Sequence, residues 1–166
     1  MNLRDILTLY DYNYWANHQI SMASAHLSPE QFVGPSTHSF GSLRGTLVHI
    51  LDSECAWRML LQQNTLDYFD AMLEEEFTTF ESLEQRWQAE ELAMRDYLVH
   101  LTDADLTGII RYTTDEGENR ERVLWHCLLH VVNHGTHHRS EAAAILTDYD
   151  HSPGGLDFTA FLNEQQ

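Results

Sequence analysis

The chain has 166 residues, 43% of them hydrophobic, and a formal charge of −17 from 26 acidic against 9 basic side chains. That balance argues against binding phosphate backbones or anionic membrane surfaces, and no apolar run approaches the roughly 18–20 residues of a membrane span. A single domain over residues 1–166 is expected; with two distant cysteines, no CxxC and no secretory apolar segment after Met1, the expected compartment is the cytoplasm.

Apolar residues recur at three and four along four long segments, the mark of amphipathic helices. The first covers residues 3–26 and includes the aromatic stretch Tyr12-Asn-Tyr-Trp-Ala-Asn17. Ser28 followed by Pro29 opens a short helix, Ser at the cap and Pro at the first helical position. After a glycine- and serine-containing link, Ser42 caps a second long helix from about Leu43 to Gln63, with Glu54 on its apolar stripe and Cys55 off it. Residues 64–78, with Asp67, Asp70 and Glu74 to Glu76, form an acidic solvated connection. Thr78-Thr-Phe-Glu81 has the pattern of a capping box and starts a third helix reaching about Leu101. Ile109 to Thr114 and the residues near Arg120 flank Asp-Glu-Gly-Glu-Asn, which suggests a small β-hairpin. A fourth long helix runs from about Glu121 to Leu146, and the tail beyond Ser152 holds a turn and a short apolar segment packing back onto the rest. Four long helices with one longer crossover make an all-α four-helix bundle.

Five of the eleven histidines lie in the last long helix, at 126, 130, 134, 137 and 138. Successive residues turn by about 100°, so histidines at i and i+4 stand one above the other and can share a metal ion. Three such pairs exist, and the apolar stripe separates them. Relative to Val131, at the centre of that stripe, His138 lies about 20° and His134 about 60° away, against about 100° for His130 and about 140° for His126. Thus 134 and 138 point inward, and 126, 130 and 137 lean outward. An inward histidine needs a partner, and a carbonyl or carboxylate serves as well as a metal. His49, at the shoulder of the second helix's stripe, is either an interfacial hydrogen-bonded histidine or a third ligand from across the bundle. Cys127 is on the buried stripe but roughly 10 Å along the axis from His134, too far to share an ion with it.

Four pieces of the sequence, in order, carry a resemblance: Tyr12 to Asn17; His49-Ile-Leu-Asp-Ser-Glu-Cys-Ala-Trp57; Asn133-His-Gly-Thr-His-His-Arg139; and Gly155-Leu-Asp-Phe-Thr-Ala-Phe-Leu162. The chain resembles the DinB/YfiT-like superfamily of metal-binding four-helix bundles over essentially its whole length. The resemblance implies a divalent metal held by His49, His134 and His138, and a homodimer. Where the family often has Gly-Gln after the His-Arg pair, this chain has Ser140-Glu141.

Three histidines leave a coordination position for water or substrate, as in catalytic zinc, and imidazole suits zinc, nickel or iron. The expected function is metal-dependent chemistry on a small molecule; the resemblance implies a low-molecular-weight thiol as cosubstrate in an S-transferase-like reaction. The alternatives are a non-catalytic metal-binding stress-response protein, its ion tying two helices together, and a dimerisation module with no metal. Glu54 and Glu141 are candidate partners or bases beside the histidines, or ordinary ion-pair members.

Overall fold

A computed structural model describes residues 1–66, 69–114 and 117–165. The long helices are α1 (Leu3–Ser24), α3 (Leu43–Gln63), α4 (Phe80–Val99) and α5 (Leu124–Asp148); the short ones are α2 (Pro29–Phe32) and α6 (Phe158–Glu164). The four long helices close a ring in which α1 packs on α5, α5 on α3, α3 on α4 and α4 on α1. The α1–α3 and α4–α5 connections therefore cross diagonals, the second through an antiparallel hairpin of β1 (Ile109–Thr113) and β2 (Asn119–Val123). The fold is all-α apart from that hairpin.

Local chemistry sets the helix starts. Asn2 and Asp5 form a capping box on α1, and Ser28 and Gln31 form one on α2, where Pro29 sits in the first turn. Ser42 Oγ accepts from Gly45 N at 2.9 Å and begins α3. The start of α4 differs from expectation: Thr79 caps it through Ser82 N, one residue later than the Thr78–Glu81 box. At the far end of α3, Asn64 adopts a left-handed conformation with φ 55° and stops the helix. Asp67 of the acidic connection, and Asp115 and Glu116 of the hairpin turn, lie outside the described residues.

One core cluster gathers Tyr10, Tyr14, Leu61, Met94, Leu128 and Val131; the other gathers Ile20, Leu47, Leu51, Leu83, Ala142 and Ile145. Cys55 is a correction: it is fully buried in the second cluster, although it lies off the main stripe of α3. Helix α3 is covered on two sides, and Cys55 faces α4, where its thiol donates to Glu90 at 3.0 Å. The tail docks through Phe161, buried against Tyr12 and Trp15, while the Tyr12 hydroxyl donates to Leu156 O at 2.9 Å.

Candidate metal centre

Helices α3 and α5 bring His49, His134 and His138 together. His49 Nε2 and His134 Nε2 are 3.0 Å apart, and one nitrogen from each of the three rings lies within 4.8 Å of the others. The ring centroids of His49 are 4.8 Å from His134 and 4.6 Å from His138, and those of the α5 pair are 4.5 Å apart. His138 is buried and the other two are half-buried, whereas His126, His130 and His137 are exposed. The wheel angles of α5 give that order directly.

Neighbours fix two of the rings. Phe40, in the link before α3, stacks on His49 with centroids 3.9 Å apart, and its edge meets His138. His138 Nδ1 lies 2.9 Å from Glu141 Oε2, and Ser39 donates to the other carboxylate oxygen at 2.6 Å. A carboxylate at that distance holds the proton on Nδ1 and leaves the Nε2 lone pair for the centre of the cluster. Glu141 thus supports the cluster's most buried ring. His137, His138 and Glu141 form a second close group of donor atoms, sharing His138 with the first.

Burial and neighbouring histidines disfavour the charged forms of His134 and His49. Burial first, then the charges that His138, His49, His130 and His137 would carry, lowers the pKa of His134 to about 4. Burial and His138 lower His49 as well, against a smaller opposing effect of Glu141. The Ser39 and His138 hydrogen bonds hold Glu141 below the usual carboxylate range. Three imidazoles facing one another suit a divalent cation. Tetrahedral zinc at about 2.0–2.1 Å from each nitrogen separates ligand nitrogens by about 3.3 Å, a few tenths more than the His49–His134 spacing.

Glu54 is not among the cluster's partners. It accepts hydrogen bonds from Asn13 at 2.8 Å, Asn17 at 3.2 Å and the Trp87 indole at 2.9 Å. Arg139, 1% exposed, completes this network: its Nη1 donates to Asn13 Oδ1 at 2.6 Å and Asn17 Oδ1 at 2.7 Å. Sequence periodicity misses such a residue, because an arginine on a helix is expected at the surface. One signal was present: Gly135, one turn before Arg139, where an added Cβ would come 2.6 Å from Arg139 Nη1. Cys127 is buried, as its stripe position implied, and burial raises its thiol pKa.

The family described as "DinB family" matches residues 1–166. The chain is also 28% identical over 174 residues to "Protein DinB" of Bacillus subtilis (strain 168), an alignment covering 93% of this chain and 91% of that one.

Proposed function

The chain belongs to the DinB family, and from that premise we propose that it holds a divalent metal ion on His49, His134 and His138 and uses it to transfer a low-molecular-weight thiol to a small electrophile. The observation that carries this reading is the convergence of three imidazoles from two helices, with the 3.0 Å His49–His134 approach at its centre. When bound, such an ion supplies a Lewis acid that lowers the pKa of a thiol or water and leaves a position open for it. The protein's own part is positioning. Glu141 keeps the Nδ1 proton on His138, and Phe40 clamps the His49 plane.

Metal content per chain after identical loading and desalting tests the ligand set. We expect His49→Ala, His134→Ala and His138→Ala to lose the ion, and His126→Ala, His130→Ala and His137→Ala to keep it. Loss on His126→Ala with retention on His134→Ala would sink the assignment. Thiol consumption with an electrophile, compared between metal-loaded wild type and His134→Ala, tests the reaction; metal binding with no metal-dependent turnover would leave the ion a tie between α3 and α5. Sedimentation from micromolar to millimolar concentrations tests the homodimer. Among the described residues no helix is long and apolar enough to cross a membrane.

A further inference from the structure

A hollow of about 420 Å³ lies between the hairpin and the α3–α5 face, lined by Trp57, Tyr112, Arg122, His126, Cys127 and His130. Its size is that of a small-molecule site. Trp57 and Tyr112 meet edge-on with centroids 5.6 Å apart and form an apolar wall. His130 closes one end: it packs on Trp57 at 5.1 Å, and its ring centroid is 5.9 Å from that of His134. The hollow and the histidine cluster are therefore neighbours along α5.

The charge in this hollow is unusual for the chain. All nine basic side chains are arginines, set against 26 acidic residues, and most arginines are engaged by carboxylates. Arg122 forms no ion pair with a described residue; its one hydrogen bond runs from Nη1 to Glu121 O at 2.8 Å. Its strand position is also unusual. Arg122 pairs with Ile110, so the two side chains share a face of the hairpin, and Ile110 is buried in the core. The hairpin thus sets the exposed Arg122, without an ion-pair partner among the described residues, on the rim of the hollow beside the imidazoles of His126 and His130. A second hollow of about 330 Å³ on the other side of the cluster, reached past His49, is lined by Asp52, Glu74 and Glu75 and would repel an anion.

We infer that the hollow beside His130 is a binding site for a small carboxylate-bearing molecule, its carboxylate on Arg122 and His126 and its flat or aliphatic body against Trp57 and Tyr112. A guanidinium takes a carboxylate through two parallel hydrogen bonds, and the aromatic wall supplies the remaining affinity. His126 and His134 are eight residues apart on one helix, about 12 Å along its axis. A ligand anchored at Arg122 and extended by that length reaches the three-histidine cluster, so the class that fits is an elongated anionic substrate or thiol. The reach to the cluster rests on the metal reading; the carboxylate site does not.

The test uses the full chain, metal-free and metal-loaded in parallel, titrated with 3-phenylpropionate and with 3-phenylpropionamide while the His126 and His130 ring signals are followed by NMR. The acid is expected to bind at least tenfold more tightly than the amide and to shift those two rings in both preparations. Arg122→Gln, at an exposed position that leaves the core intact, is expected to abolish the difference, and Trp57→Ala to weaken acid and amide alike. Equal binding of acid and amide, or an unchanged acid affinity in Arg122→Gln, overturns the inference. Because the metal-free protein is titrated separately, failure to load metal would remove the thiol-transfer reading and leave this result standing.

Discussion

Helices α3 and α5 carry two polar constellations with opposite designs. The Glu54–Arg139 network has a buried centre whose hydrogen bonds are made: the carboxylate accepts from Asn13, Asn17 and Trp87, and the guanidinium donates to Asn13, Asn17 and the exposed Thr136. The histidine cluster on the same two helices is half-buried, and in it one nitrogen from each of His49, His134 and His138 lies within 4.8 Å of the others. A buried charge pair with its hydrogen bonds completed is a structural device, and removing one partner strands the other. Imidazole nitrogens that converge in this way form a donor set suited to a divalent cation. The network fixes how α5 sits against α1 and α3, and that orientation aims His134 and His138.

Removing the charge from the network is expected to have the largest effect. Arg139→Ala leaves Glu54 buried without its cation, and should cost about 3–5 kcal/mol of stability in urea unfolding of the metal-free protein. His134→Ala in the same assay should cost far less. If the two variants lose stability equally, the division between a structural and a binding constellation fails.

Gly135→Ala sharpens the same contrast with one methyl group. In an exposed helix the change would stabilise by up to about 1 kcal/mol. Here the new Cβ would meet Arg139 Nη1 at 2.6 Å and Asn13 Oδ1 at 2.9 Å, both committed to the network. Overpacking against groups that cannot move should reverse the sign and cost about 1–3 kcal/mol. A variant more stable than wild type would show that the network can shift.

Glu141→Gln acts on the other constellation. The amide keeps the shape but loses the charge that holds the Nδ1 proton on His138, and metal affinity should fall about 10–100-fold. Competition with a chelator of known affinity reads this directly. An unchanged affinity would reduce the Glu141–His138 contact to an ordinary surface pair.

The helical bundle was legible because each long segment holds its apolar spacing over five or more turns and most starts carry a capping residue. The inward pair followed from wheel angles, since His134 and His138 share the stripe of Val131. Periodicity could place His49 only at a shoulder, because the helix that faces it is decided by packing across the ring. Cys55 and Arg139 were out of reach for related reasons. A helix covered on two sides has no single outer face, and a buried arginine is specified by Asn13 and Asn17, more than 100 positions away in sequence. Glu54, on the stripe near His49, suggested a partner for the histidines; its actual partners lie on α1 and α4.

The smallest expected effect, a difference in pH dependence, separates the two constellations by sign. An unfolded histidine takes up a proton near pH 6.5, whereas burial and the neighbouring histidines lower His134 to about 4 in the folded protein. Between those values the unfolded chain binds a proton that the folded, metal-free protein refuses, so stability rises with pH across the window. The contribution is complete above pH 6.5 and is lost as the pH falls toward 4; His49, lowered for the same reasons, adds in the same direction. Glu54 has the opposite sign. Burial raises its pKa against the pull of its three donors and Arg139, so its proton is favoured by folding, and its contribution falls as pH rises above the ordinary carboxylate value. Urea unfolding of the chelated protein at several pH values between 4.5 and 7, compared for wild type, His134→Ala and Glu54→Gln, isolates each slope, because carboxylates elsewhere titrate alike in all three. His134→Ala should flatten the rise between pH 4.5 and 6.5, and Glu54→Gln should steepen it. A His134→Ala slope identical to that of wild type would mean that the imidazole is as well solvated in the folded protein as in the unfolded chain, and burial would then not be what disfavours its protonation.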